Sequence, residues 1–554
     1  MISDTTISAK VSGAQALVES LVAHGVTHVF CVPGESYLAV LDALYDVRDQ
    51  ITVIACRHEA AAANMAVAHG KLTGRPGVAM VTRGPGATHA SIGVHTARQD
   101  SAPMVLFVGQ VSTEDLGREA FQELDYPAVF GTLAKSAVQV DRAERMGEFV
   151  SRAFATAAQG RMGPVVVALP EDVLREEVRR PVLATPSRAV ATLPSEFIAE
   201  LDLRLQQSLR PLLILGGSGW TAQAAAHLAQ AAVNAGVPIA LSFRRKDLID
   251  NRHPAYAGDL GLGPNPKLVE RVKAADLIIA IGARLGENPT QGYSLFTLEE
   301  TAAKLIHVHP DPQELGRVWP ASLAAVANVE QAALVLGAMP PGPRARPSDW
   351  LTDAHADLEA FVQPVSVVGK VNLSEVFAHL ADALPDDAIV ANGAGNFAAW
   401  LHRFYRHRRF GTQLAPTSGA MGFGFPAGIG AKIVNPDREV VTVSGDGDFM
   451  MCAQELATAV QYGANIVALV VDNGAYGTIR MHQERDFPGR PIATDLANPD
   501  FVAFAESFGA HAERVEETAR FPAALERARA AGRPALIHLV TDLRDISPGR
   551  VLAL

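Results

Sequence analysis

The stretch from Glu439 to Tyr476, EVVTVSGDGDFMMCAQELATAVQYGANIVALVVDNGAY, restricts the fold more than any other in the chain. Val440 to Val443 is a short run rich in β-branched residues that ends in Ser444-Gly445-Asp446-Gly447, and the residues after it, through Gln454, Leu456, Ala459 and Val460, have helical spacing. Gly463 is expected to stop that helix. A second apolar run, Ile466 to Val471, is too short and too rich in valine for another helix, so it reads as a parallel strand ending in Asp472-Asn473. The unit is strand, glycine turn, helix, strand. Residues just after each strand of such a unit meet at one edge of the sheet, where open α/β folds bind ligands. Asp446 and Asn473, 27 positions apart, are expected to face each other there.

A carboxylate oxygen, an amide oxygen and a nearby backbone carbonyl make a partial oxygen shell that Mg2+ accepts when a diphosphate supplies the rest. A helix N-terminus beside Gly447 would offer free N–H groups to that diphosphate. A tight turn whose aspartate is exposed and caps the helix would use the same three residues, so the spacing has to decide. Gly445-Asp446-Gly447 followed after 24 residues by Asp472-Asn473 resembles the thiamine-diphosphate signature, in the strand and helix context that the signature needs.

At 554 residues the chain has room for three or four domains, each with its own core. A net charge of −11 provides no basic stripe to neutralise phosphates, which argues against a nucleic-acid partner. The one basic cluster, His402, Arg403, Arg406, His407, Arg408 and Arg409, reads as a solvated helix face or an interface. Cys31, Cys56 and Cys452 are scattered without disulfide or metal spacing, which suits a reducing compartment. MISDTTISAK has no apolar core and no uncharged apolar run approaches membrane-spanning length, so a soluble, cytoplasmic protein with no membrane partner is expected.

Strand and helix patterns alternate from Lys10 to Pro170, including a strand at His28–Val32, a helix from Glu59 to Leu72 closed by Gly74, and strands at Val78–Thr82, Met104–Val108 and Gly163–Pro170. Proline-punctuated segments at 180–195 and 339–349 read as linkers. Between them, strands at Leu212–Leu215, Pro238–Leu241, Asp276–Ile281 and Lys304–Val308 imply a second α/β domain. The expectation is α/β with three doubly wound parallel-sheet domains, at 1–180, 195–338 and 365–554.

Gly25 to Leu44, Arg57-His58-Glu59, Val81 to Ala87, Ala120 to Glu123, Gly163-Pro164 and Ser418 to Lys432 together resemble the acetolactate synthase branch of the thiamine-diphosphate enzymes, in order and over nearly the whole chain. The resemblance implies an aminopyrimidine-binding first domain, a middle domain and a diphosphate-binding third domain. It also implies a homodimer or homotetramer with each active site between two chains. Glu59 matches the glutamate that hydrogen-bonds the aminopyrimidine N1′ and promotes loss of the thiazolium C2 proton; alone, it would read as a first-turn carboxylate complementing a helix dipole. Met421, in Gly419-Ala420-Met421-Gly422, matches the apolar wedge that holds the cofactor bent. Asp446, Asn473 and the Ala475 carbonyl match the Mg2+ ligands. Asn392, Gly393, Ala394 and Gly395 match the loop that reaches the diphosphate, and Gly445, Gly447, Asp448, Tyr476 and Gly477 line the same pocket. Gly34, Phe121 and the second catalytic candidate, Gln122, fall where the family contacts cofactor and substrate, as do Ile479 and His482.

Departures from the family pattern bear on the substrate. Glu35 stands where a second glycine is common, His482 where biosynthetic members carry a tryptophan, and Glu171 where a lysine is usual. An ionised Glu35 turned inward would repel a carboxylate acceptor; turned outward it would begin a helix. The implied reaction is decarboxylation of a small 2-oxo acid, followed by protonation or by joining to a second carbonyl. Gly282-Ala283-Arg284 and Ile306 to His309 resemble segments that hold FAD in some relatives; FAD is not favoured here. A lyase acting on 2-hydroxyacyl-CoA or oxalyl-CoA is the alternative and would need a basic pocket from Arg244, Arg245 and Lys246, which read as ordinary surface residues. A non-catalytic homologue is disfavoured because Glu59, Asp446 and Asn473 occur together.

Overall fold

The computed structural model describes residues 10–179, 185, 187–338, 347 and 349–553. Much of both proline-rich linkers falls outside those residues. The chain forms two compact units, one of Met1–Ala189 with Ile429–Val434, the other of Val190–Gly428 with Asn435–Leu554.

The first unit is built on a six-stranded sheet in the order Thr52–Ala55, His28–Cys31, Gly77–Val81, Met104–Gln110, Pro164–Pro170, Ser136–Gln139, parallel throughout. Every residue of the strands at 77–81, 104–110 and 164–170 is buried, which is why they read as unbroken apolar runs. Sequence periodicity misses the edge strand Ser136–Gln139, because its residues are all half-buried and show no alternation. The helix Glu59–Thr73 ends on Gly74 at φ 68°, and its EAAAANMA start is nearly all small residues. Their use is close approach. A Cβ on Gly93 of the neighbouring helix Pro85–Asp100 would fall 2.3 Å from that of Ala63.

The second unit carries two further six-stranded parallel sheets. One runs Tyr256–Leu260, Ile239–Ser242, Pro211–Leu215, Leu277–Ile281, Leu305–His309, Leu323–Val326. The other runs Gln413–Leu414, Ile389–Asn392, Val440–Gly445, Val467–Asp472, Ala535–Val540, His511–Val515. All three sheets are flanked by helices, as the α/β reading requires. Among the described residues no helix is long and apolar enough to cross a membrane.

Two expectations are corrected. The helix after the glycine turn is broken into a single turn at Asp446–Phe449, a 3-10 turn at Ala453–Glu455 and the helix Leu456–Gln461; Cys452, at φ −140°, interrupts it. Nor are Arg244 and Lys246 surface residues: they are 3% and 5% exposed. Arg244 donates to the Pro416 carbonyl and Arg245 to that of Gly217, while Lys246 donates to the carbonyls of His402 and Tyr405. Main-chain oxygens accept from all three, and the partners of Arg244 and Lys246 lie more than 150 positions away, so a sequence gives no sign of them.

Candidate active site

Glu59 opens its helix, and the preceding His58 caps it, Nδ1 accepting from the Ala60 N–H at 3.0 Å. This leaves the Glu59 carboxylate free of capping duty. Its Oε2 lies 2.9 Å from His89 Nδ1, and the His58 and His89 rings lie 4.6 Å apart. Burial, reinforced by His89 and opposed by Glu59, holds the His58 pKa below its ordinary value, which favours the neutral ring. Gly86 borders the carboxylate: a Cβ there would stand 3.4 Å from Glu59 Oε1.

The Pro33-Gly34 turn packs on Thr82, where a Cβ on Gly34 would come within 2.4 Å of the threonine Cβ, so no side chain fits. Glu35 then begins the 3-10 turn Glu35–Tyr37 and is exposed. Its carboxylate makes no hydrogen bond or ion pair among the described residues. Phe121, 75% exposed, and Gln122, at φ 66°, form the tip of a loop that the Glu123 carboxylate ties down by accepting from the N–H groups of Gly117 (2.6 Å) and Ala120 (3.0 Å). Gly84 lies directly beneath, since a Cβ there would meet the Gln122 carbonyl oxygen at 2.8 Å.

In the second unit the neighbouring strands Val440–Gly445 and Val467–Asp472 pair Gly445 with Val471, which brings their following residues to one edge as the sequence implies. Asp446 is 3% exposed, not an exposed turn carboxylate. One Asn498 amide bridges it to Asp472, donating to Asp446 Oδ2 at 2.8 Å and Asp472 Oδ1 at 2.9 Å. Burial pushes the Asp446 pKa up to about 6, Asn498 opposing the rise and the Asp472 charge adding to it. Burial acts on Asp472 too, but the His538 ring, 2.8 Å from Oδ2, and the Gly474 N–H outweigh it and hold that carboxyl below its usual range. Sequence reasoning missed Asn498 and His538. Neither lies in a motif, and only the fold brings them to this edge.

Asn473 accepts the Ala475 N–H at 3.1 Å in a tight turn whose Gly474 has φ 67°. The loops after the two strands are in contact, because a Cβ on Gly447 would fall 2.5 Å from the Tyr476 ring and one on Gly477 2.9 Å from Asn473 Nδ2. Two carboxylates with a single amide between them at a buried sheet edge are an excess of negative charge, which costs on the order of several kcal/mol unless a cation joins them. Asp446, the amide oxygen of Asn473 and the Ala475 carbonyl form a hard oxygen set that fits Mg2+.

Asp448, 2% exposed and pushed by burial to a pKa of about 6, accepts the N–H groups of Gly422 (2.8 Å) and Ala394 (3.3 Å). A Cβ on Gly393 would strike its carboxylate at 2.1 Å, and one on Gly424 would strike the Asn392-Gly393 peptide at 2.4 Å. Asn392 to Gly395, the segment Gly419 to Gly424 with half-buried Met421, and Asp448 thus form one cradle. Ile479, 54% exposed, and exposed His482 lie on the helix Gly477–Asp486, none of whose residues is buried.

Residues 11–129, 198–336 and 393–539 match the families described as thiamine pyrophosphate enzyme N-terminal TPP binding domain, central domain and C-terminal TPP binding domain. Over 532 residues the chain is 32% identical to the acetolactate synthase large subunit of Parasynechococcus marenigrum, covering 93% of this chain and 85% of the relative. It is 31% identical to the acetolactate synthase isozyme 2 large subunit of Escherichia coli, covering 97% of both chains. A probable acetolactate synthase large subunit of Methanocaldococcus jannaschii is also 31% identical, over 97% of this chain and 93% of that protein.

Proposed function

Because the chain belongs to the thiamine pyrophosphate enzymes, in their acetolactate synthase-like branch, we propose that it binds thiamine diphosphate with Mg2+ and decarboxylates a small 2-oxo acid, then delivers the remaining acyl carbon to a proton or to a second carbonyl. The observation that carries this reading is Asp446, a buried carboxylate at a sheet edge with Asp472 beside it and, among the described residues, no ion-pair partner of its own. Asp446, Asn473 and Ala475 would hold the metal. The cradle of Asn392 to Gly395, Gly445, Gly447, Asp448, Tyr476 and Gly477 would receive the diphosphate, with Gly419 and Met421 at its edge.

When bound, the cofactor supplies an acidic carbon that adds to a carbonyl and accepts the electrons left by CO2. Glu59 would hold a proton at the aminopyrimidine, and His89 orients its carboxylate. Gly34, held against Thr82, would present main chain to the cofactor. Phe121 and Gln122 on one side, with Glu35, Ile479 and His482, would bound the substrate. A homo-oligomer in which two chains complete each site accounts for the exposure of Phe121, Ile479 and the helix Gly477–Asp486.

The acyl-CoA alternative is not favoured, since Arg244 and Arg245 donate to main-chain carbonyls and Lys246 alone makes no basic pocket for a nucleotide. Isothermal titration of thiamine diphosphate with Mg2+ into the wild type and Asp446→Asn tests the reading. Loss of binding by the variant is expected; equal affinity overturns it.

A further inference from the structure

A cleft open at its mouth lies in the second unit between the strand Tyr256–Leu260 and the helix Phe397–Phe404. Its lining includes none of Gly282 to Arg284 or Ile306 to His309. We propose that it is a second ligand site, for a short aliphatic monocarboxylate, and that its occupation is transmitted to the Asn392 to Gly395 loop.

An unmet hydrogen bond identifies the site. Tyr256 is 2% exposed and lines the cleft, yet its buried hydroxyl has no partner among the described residues. Buried hydroxyls rarely stay unpaired in a native fold, so a ligand acceptor is the natural occupant. Charge sets the ligand's sign. Lys246 spends two of its three donors on the carbonyls of His402 and Tyr405 and forms no ion pair among the described residues. Arg403 donates Nε to the Phe361 carbonyl at 2.9 Å and stacks 3.9 Å over that ring, with no carboxylate partner among the described residues. Arg406 is neutralised by Glu359 through bonds of 3.0 and 2.7 Å. Burial, with Arg244 and Lys246 nearby, keeps His402 neutral. Burial lowers the Lys246 pKa and raises that of Asp259, each group opposing the other's shift, so the pair adds no net charge whether both are ionised or both neutral. Arg403 then leaves one net positive charge, which matches a monoanion and not a dianion such as phosphate. Leu358, Phe361 and Val362 form an apolar wall suited to a short alkyl chain.

A defined route leads out of the cleft. His402 Nε2 lies 3.1 Å from Asn392 Oδ1, at the end of the strand before the helix, and Lys246 holds the same end of the helix through the His402 and Tyr405 carbonyls. A carboxylate that draws on Lys246 or Arg403 therefore acts on a helix anchored to the proposed diphosphate loop. Binding itself does not depend on the proposed function; only the transmitted effect does.

The test titrates the full-length protein with isobutyrate, isobutyramide and inorganic phosphate, followed by ligand-observed NMR. Saturable millimolar binding of isobutyrate alone is expected, weakened about fivefold by Tyr256→Phe and abolished by Arg403→Gln. Removing an unpaired hydroxyl does not threaten the fold, so Tyr256→Phe should melt no lower than wild type. Asp446→Asn, which tests the cofactor site, should bind isobutyrate unchanged. In the wild type, saturating isobutyrate should shift the affinity for thiamine diphosphate with Mg2+ about threefold or more, and in Arg403→Gln it should not. No saturable binding, equal binding by both cleft variants, binding lost in Asp446→Asn, or an unshifted cofactor affinity in a wild type that binds both ligands would each overturn the proposal.

Discussion

The Glu59 carboxylate and the His89 ring stand 2.9 Å apart, Oε2 to Nδ1, on two helices packed so closely that glycine meets alanine between them. An ionised carboxylate can only accept, so the proton of this bond belongs to His89, and the ring fixes the direction in which Glu59 offers its other oxygen.

Glu59→Gln should therefore bind thiamine diphosphate with near-normal affinity while slowing hydrogen–deuterium exchange at the thiazolium C2 by about 10²–10⁴-fold. His89→Ala should slow it by about tenfold, through lost orientation alone. Proton NMR of quenched samples reads both, and wild-type exchange in Glu59→Gln would leave the carboxylate with only a helix-end role.

If each site takes Glu59 from one chain and Asp446 from its partner, then two inactive variants, Glu59→Gln and Asp446→Asn, should rescue each other. Mixed and reassembled at equal amounts, half the dimers are hybrids with one intact site each, so activity should recover to about a quarter of wild type. No recovery from a mixture that exchanges subunits would place both residues in one chain's site.

The Thr412 hydroxyl donates to the Arg409 carbonyl at 2.7 Å and so accepts from His407 Nδ1 at 2.9 Å. Burial holds His407 down to about 3, Asp247 opposing and Lys246 reinforcing. The folded pKa lies below the unfolded value of 6.5, so the stability is present above pH 6.5 and is lost as pH falls toward 3. Between pH 6.5 and 5 the loss from this one group is about 2 kcal/mol. Urea unfolding of wild type and His407→Gln should show the variant less sensitive over that interval; parallel pH dependences would mean the ring is charged in the fold.

Glu35 is exposed at the start of its helical turn, where the sequence allowed either an inward or an outward carboxylate. A partner chain or a substrate must cover it for its charge to govern the acceptor. With pyruvate as the sole substrate, the wild type should form acetolactate poorly, and Glu35→Gly should raise that rate about tenfold as the repulsion is removed. Efficient synthesis by the wild type would show that the carboxylate stays in water.

The parallel strands were legible because burial on both faces writes them as apolar runs; the run Gly163–Pro170 differs by one residue from the strand Pro164–Pro170. Tyr256–Leu260 was not, with a glycine and an aspartate in five residues. Spacing placed Asp446 and Asn473 after neighbouring strands, which the pairing of Gly445 with Val471 bears out, while the role of Glu59 came from resemblance alone. What escaped was whatever depends on a partner distant in sequence. Asn498 between two aspartates is one such case. Another is the cluster from His402 to Arg409, read as a solvated helix face or an interface, in which His402 is half-buried, His407 is buried, and Arg406 and Arg408 pair with Glu359, Asp382 and Asp386.

The helix Gly477–Asp486 contributes no buried side chain to the chain's core, yet it follows directly on Asn473, Ala475 and Tyr476. Ile479 and His482 can therefore be exchanged for residues of quite different size and polarity without disturbing the packing that holds Asp446 and the glycine cradle. If these two side chains bound the acceptor as proposed, selectivity on this segment is free to drift while the residues proposed to hold the cofactor stay put, and one scaffold can be handed from one acceptor to another in single mutational steps.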